Sequence, residues 1–324
     1  MSPADRTVSR AGTRLLAAAA GAAAGALAYA AGYEVRAYQL RRVEVPVLDP
    51  GSAPLRILHL SDLHLSARQT RKQAWLRALA DEPVDLVVDT GDNVADPQAL
   101  PALREALDGL LDRPGVFVSG SNDYYAPTLK NPASYLRGPQ ARRVYGPRMP
   151  WADLVATLGA RGWVHLDNRR VRLEVGGRTV EVVGVDDPHI DRDRYDEVAG
   201  PAASDVAVTI GVVHAPYRRV LDRMVADGAG LVLAGHTHGG QLRVPAVGAL
   251  VTNCDLEPSR ARGLSRHVVT SPYGTASGWL HVSAGLGTSP YAPVRFACRP
   301  EATVLTLVGT DQGGDGPGAP RALG

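Results

Sequence analysis

The sequence predicts an α/β protein built on a largely parallel sheet, and three observations predict it. Short apolar runs break off abruptly in polar residues, helix-like segments separate them, and the repeat distance is about 30 residues, the length of a βαβ unit. Composition agrees: 45% of the 324 residues are apolar and 21% are charged, as in ordinary globular enzymes. Lys and Arg number 35 against 33 Asp and Glu, which disfavours a dedicated nucleic-acid binder. Two cysteines, Cys254 and Cys298, exclude a disulfide-stapled scaffold or a thiolate zinc module and leave room for one optional disulfide.

In chain order, the first element is Leu15 to Tyr33, an uncharged Ala-rich run. Its nineteen residues would span ~28 Å as a helix, against ~30 Å of bilayer hydrocarbon. It reads as a single-pass membrane anchor, with a cleaved signal ending near Ala28-Tyr29-Ala30 and a buried Ala-rich helix as alternatives. Arg6, Arg10 and Arg14 before it balance Arg36, Arg41 and Arg42 after it. The positive-inside rule is therefore tied, and an extracytoplasmic catalytic domain is one of two orientations. Residues 1–42 are taken as anchor and linker, 43–308 as the folded domain, and the Gly/Pro-rich 309–324 as a disordered tail.

Five apolar runs follow as strands: Leu55–Leu60, Val84–Val88, Val116–Val118, Thr209–Val213 and Leu231–Leu233. Helices are expected over Arg68–Ala80, Pro97–Leu111 and Pro216–Asp227. The strand ends deliver Asp62, His64, Asp92, Asn122, His214, His236 and His238. Parallel sheets place their chemistry beyond such carboxyl ends. All seven are oxygen or imidazole donors, a set suited to Zn, Mn or Fe. In extended chain, i and i+2 point the same way, so Asp62 with His64 and His236 with His238 are expected to aim into one cleft. Gly91, Gly120 and Gly235 precede ligands and allow close backbone approach. His59 reads as a core residue, and His165, His189, His267 and His281 as ordinary polar side chains. Each motif alone is commonplace; seven such strand ends together are not.

Asp62-Leu63-His64, Gly91-Asp92-Asn93, Gly120-Ser121-Asn122-Asp123, His214 and Gly235-His236-Thr237-His238 together resemble the signature of the calcineurin-like metallophosphoesterase family. Gly235–Pro245 (GHTHGGQLRVP) and Leu280–Leu307 look like its membrane-associated bacterial, lipid-phosphoesterase-like branch, and the resemblance covers nearly all of residues 55–308. It implies a four-layer αββα sandwich of two sheets flanked by helices. It also implies two divalent ions (Mn, Fe, Zn or Mg). One is held by Asp62, His64, Asp92 and His238; the other by Asp92, Asn122, His214 and His236, with Asp92 bridging. Two cations, two carboxylates and a bridging hydroxide leave the site net positive, ready for a phosphate oxyanion.

The implied reaction is hydrolysis of a phosphomonoester, phosphodiester or pyrophosphate by the bridging hydroxide, with a lipid-linked substrate suggested by the anchor. Asp92 and Asp123 are the expected catalytic residues. The third motif departs from the family's Gly-Asn-His-Asp/Glu. Aligned on its glycine, Ser121 falls at the metal; aligned on ligand chemistry, Asn122 does. Asp123 then stands where the family has its histidine and is expected to protonate the leaving group. Residues 124–151 suggest a loop over the metals, with Arg137, Arg142, Arg143 and Arg148 available to phosphate, or a plain solvated connector. Asp186 and Asp187 are read as supporting or turn residues. A catalytically inactive scaffold and a metal-dependent nuclease are the competing functions.

Overall fold

The computed structural model describes residues 3–129, 145–272 and 274–310. Helix α1 (Pro3–Gly32) carries an apolar stretch long enough to cross a membrane. Leu15 and Leu16 are 72% and 74% exposed, so this stretch does not pack into the protein core. Near its end the helix meets the folded body, where the Arg295 amide donates to the Ala30 carbonyl.

The body begins at β1 (Gln39–Leu48), which runs through the 42/43 boundary expected above, so residues 39–42 belong to a sheet. The first sheet contains β1, β2 (Leu55–Leu60), β3 (Leu86–Asp89), β4 (Gly115–Phe117), β5 (Val164–His165) and β14 (Glu301–Gly309), in the order β1-β14-β2-β3-β4-β5. Strands β2 to β5 are mutually parallel, β14 is antiparallel to β2, and β1 is parallel to β14.

The second sheet is formed by β6 (Arg169–Val175), β7 (Arg178–Gly184), β8 (Thr209–Val213), β9 (Leu231–Ala234), β12 (Gly263–Ser271) and β13 (Gly274–Val282), in the order β12-β13-β9-β8-β7-β6. Its centre is parallel and its two edges antiparallel. A minimal hairpin, β10 (Arg243–Val244) with β11 (Gly248–Ala249), stands apart. The single largely parallel sheet is thus corrected to two mixed sheets, as the family resemblance implied.

Three apolar clusters define four layers. Between the sheets, Ile57, Leu86, Val88 and Val116 meet Val182, Ile210, Val212 and Leu233. The near-continuous Val/Leu/Ile character of these strands follows from burial on both faces. Outside the first sheet pack α2 (Thr70–Ala78), α3 (Leu100–Leu107) and α5 (Trp151–Gly159). Outside the second lies α6 (Arg218–Ala226), whose Val220, Leu221, Met224 and Val225 form one buried stripe. The three expected helices occur in slightly shorter form, and a four-residue turn of helix, α4 (Ser121–Tyr124), follows β4. The carboxyl ends of β2, β3 and β4 from one sheet and β8 and β9 from the other open onto a common rim.

Candidate metal centre

The loops on that rim are not extended chain. Asp62, His64, Asp92, His236 and His238 have φ values of 48°, 39°, 57°, 68° and 49°, all left-handed. The expectation that i and i+2 converge by strand alternation is therefore corrected: each side chain is turned inward by an unusual backbone. Such conformations cost about 1–3 kcal/mol apiece and persist only where the surroundings enforce them. Here the β2 and β3 loops are hydrogen-bonded to each other, Asp62 N–H to Gly91 O and His64 N–H to Asp92 O, both at 2.9 Å. Gly120 and Gly235 are obligatory. A Cβ at Gly120 would collide with the Asp92 carboxylate and His214, and one at Gly235 with Ser61 and the Asp62 carboxylate.

The result brings the predicted ligands together. Donor atoms of Asp62, His64 and His238 lie within 4.8 Å of one another, as do those of Asp62, Asp92 and His214. Although Asp62 is common to both triads, Asp92 also faces imidazoles of both. Its Oδ2 is 3.5 Å from His64 Nε2 and 3.6 Å from His214 Nε2, the position a bridging carboxylate needs. His236 stands edge-on to His214 with ring centroids 5.2 Å apart, and His64 stacks on His238 at 5.0 Å.

The chemistry of these donors fits divalent cations. His64 Nε2 and His214 Nε2 are buried and meet no protein hydrogen-bond partner, a costly state for a polar atom unless an ion completes it. Meanwhile His214 Nδ1 is 2.7 Å from Thr90 O, His238 Nδ1 is 3.1 Å from Gly287 O, and His236 Nε2 is 3.3 Å from Asn253 O. Each carbonyl fixes a tautomer and leaves the other ring nitrogen to act as a ligand.

The electrostatics are those of a cation site. Burial opposes ionisation of Asp92, but His214, His64 and the Asn122 amide hold its carboxyl well below the usual range. Burial likewise opposes charge on His214, yet Asp92, Asp187 and Asp62 raise it to about 10. Burial pushes His64 down to about 4, and burial with the Arg295 charge pushes His238 down to about 3. Those two imidazoles are held neutral, the ligating form.

Asn122, rather than Ser121, faces the centre. Its backbone N–H donates to Asp92 Oδ1 at 2.8 Å and its side-chain amide to Asp92 Oδ2 at 2.6 Å, so its carbonyl oxygen is what it can offer a cation. Burial and the neighbouring Asp92 charge push Asp123, the expected proton donor, up to about 7. It is 1% exposed, and its oxygens accept the backbone N–H groups of Asp92 (2.9 Å), Asn93 (2.7 Å) and Gly120 (3.0 Å). It ties the β3 loop to the β4 loop. Asp186 is similarly occupied, by the Tyr124 hydroxyl and Arg192, while Asp187 is buried beside the centre. Arg137, Arg142 and Arg143 lie outside the described residues; Arg148 is exposed and pairs with Tyr125 at the backbone.

Three residues were missed. His189 lies with its ring 4.4 Å from His236 and, with Asn122 and Tyr125, lines a cleft beside the site. It follows β7, a strand not foreseen; treating Val180–Gly184 as a sixth strand end would have flagged it. Lys72 and Arg295 are buried basic side chains, and neither pairs with a carboxylate among the described residues. Lys72 Nζ donates to Leu63 O at 2.7 Å, and Arg295 to the carbonyls of Ala284, Gly285 and Gly287. Neither carries a sequence signal, because each acts on backbone. Among the other histidines, His59 and His281 are fully buried against each other, and His165 and His267 pair with Asp167 and Asp222. Both cysteines are free.

The model of the calcineurin-like phosphoesterase family matches residues 55–240, the segment that supplies all seven candidate ligands. The chain belongs to that family. Among its relatives, the uncharacterized metallophosphoesterase YkoQ of Bacillus subtilis is 28% identical over 78% of this chain and 84% of its own length. The phosphodiesterase YaeI of Escherichia coli is 28% identical over 84% of this chain and 88% of its own. A transmembrane protein with a metallophosphoesterase domain from Bos taurus is 29% identical over 82% of this chain and 56% of its own. The calcineurin-like fold thus accounts for the two sheets and for the rim on which the ligands meet.

Proposed function

We propose that the protein is a membrane-tethered, metal-dependent phosphoesterase acting on phosphodiesters. The observation carrying this reading is the Asp92 carboxylate lying between two buried imidazoles whose Nε2 atoms have no protein partner. Asp62, His64, Asp92 and His238 would hold one divalent ion, and Asp92, Asn122, His214 and His236 the other. Such ions, when bound, activate a water as nucleophile and polarise the phosphoryl oxygens.

The chain's own residues do the rest. Thr90 and Gly287 carbonyls orient His214 and His238, and Asp123 locks the loops bearing Asp92 and Asn122. With Asp123 committed to backbone, the imidazole absent from the third motif is supplied in space by His189, which lines the cleft and can donate a hydrogen bond to the substrate's phosphate or leaving oxygen. The tether is α1, in keeping with the relatives described as transmembrane proteins.

The test is metal analysis of the full-length protein in detergent, with hydrolysis of bis-p-nitrophenyl phosphate in added Mn. Two ions per chain with chelator-sensitive turnover is the expected result. Folded, metal-loaded protein without turnover would leave a binding scaffold, and metal-dependent cutting of DNA would make it a nuclease.

A further inference from the structure

Exposed apolar side chains are concentrated in one place. Outside α1 and Tyr33, five of the nine large apolar residues exposed among the described residues are Leu242, Val244, Val247, Leu250 and Val251, with Val247 at 72% and Leu250 at 62%. They sit on and beside the β10–β11 hairpin, which forms a two-stranded sheet of its own, separate from the two large sheets. A contiguous apolar tip of this kind is unfavourable in water and marks an interaction surface.

The hairpin is physically continuous with the anchor. Leu242 bridges Phe296, and the Arg243 amide donates to Phe296 O at 2.9 Å. The Phe296 ring lies edge-on to Tyr29, centroids 6.3 Å apart, and Tyr29 packs on Tyr33 at 5.4 Å. Aromatic rings at the end of a spanning helix favour the headgroup level. At the same junction a cavity of about 400 Å³ is lined by Arg41, Arg262 and Arg299 together with Gln39 and Glu34. Three guanidinium groups face one carboxylate, Glu34, and although Arg41 also lies 3.7 Å from Glu301 the lining stays net positive, suited to lipid phosphates. The same segments hold the metal centre: His238 lies three residues before Gln241, and the loop from Gly287 to Phe296 joins His238's carbonyl partner to the hairpin.

We infer that the β10–β11 hairpin and the Gly287–Phe296 loop form a second membrane contact that seats the rim on the bilayer surface, so that the centre takes amphiphilic phosphodiesters from the lipid phase. This rests on the phosphoesterase reading and names its substrate class. The occupant is an anionic bilayer, because the face continues the anchor helix and is flanked by guanidinium groups at headgroup height.

The experiment uses the full chain in vesicles of phosphatidylcholine and phosphatidylglycerol. Turnover of soluble bis-p-nitrophenyl phosphate is compared with that of p-nitrophenyl hexadecyl phosphate held in the vesicles. In the double variant Val247→Glu/Leu250→Glu, soluble turnover should stay within about twofold while amphiphile turnover falls tenfold or more. Independently, Val247→Cys carrying an environment-sensitive fluorophore should be quenched by spin-labelled lipid; Cys254 and Cys298 are buried and leave the new thiol as the labelling site. Equal effects on both substrates, or an unquenched label, would overturn the membrane face while leaving the phosphoesterase intact. A label that responds to protein concentration in detergent would assign the face to a second copy and also overturn it. Loss of soluble turnover in the unaltered protein would instead remove the phosphoesterase reading, with the quenching result still standing on its own.

Discussion

The two ends of the ligand cluster are built differently. Around Asp62, His64 and His238 the backbone is enclosed: Lys72 caps the Leu63 carbonyl, and Arg295 gathers the carbonyls of Ala284, Gly285 and Gly287. Around Asp92, Asn122 and His214 the anchoring group is an acid instead, Asp123, which collects backbone N–H groups, and Asn122 borders an open cleft with His189. One end is thus clasped by buried cations acting on carbonyls, the other by a buried anion acting on amides. The first favours rigidity, and the second leaves a face for substrate.

Asp92→Ala tests what the two ends share and should have the largest effect. Removing the carboxylate that faces both His64 and His214 should lower metal content at both positions by elemental analysis. Diester turnover should then fall by at least ~10³, the scale on which charge-stabilising groups matter. Retention of two ions would mean that Asp62 alone joins the halves. His189→Ala addresses only the open end: kcat should fall about 10²-fold, the lower range for an acid–base group, with metal content unchanged. A loss of metal instead would make His189 part of the coordination rather than of the cleft. Arg295→Met addresses only the closed end. Several carbonyls lose their donor, so unfolding should be easier by about 2–4 kcal/mol in urea titration, with metal lost from the Asp62 side first.

The smallest effect at neutral pH belongs to the buried His59–His281 pair beneath the open end, where His59 also contacts Thr90, whose carbonyl orients His214. Burial holds His59 well below its usual range, and burial with the Arg41 charge pushes His281 down to about 3. Unfolded imidazoles take up protons below about pH 6.5 while these do not, so stability must fall as pH drops from about 6.5 toward 3. The slope approaches about 1.4 kcal/mol per pH unit for each histidine. In chelator, His59→Leu/His281→Leu should lose less stability between pH 7 and pH 5 than the unaltered protein; an unchanged slope would put the sensitivity elsewhere.

What could be read from the chain beforehand follows from burial. Strands covered on both faces, such as Leu55–Leu60 and Thr209–Val213, are mostly apolar runs and were placed at their observed limits. Those with one wetter face were not: β1 carries Arg41, Arg42 and Pro46, and β6 alternates arginine with Val and Leu. Seven candidate ligands were legible because donor residues after strands are chemically conspicuous. The left-handed backbone of five of them was not, since Asp and His in such loops look like Asp and His anywhere. Asp123 was half legible for the same reason: residue type suggests proton transfer, but says nothing of the three main-chain amides that its carboxylate gathers.

The pairing of β1 with β14 carries a mechanical consequence. The two strands run parallel along most of their length, and β1 is the first strand after helix α1, the proposed anchor. A pull on α1 that runs down the β1 strand axis would load the whole ladder in shear instead of peeling it bond by bond. Under such a load the folded body should hold far better than its modest size suggests.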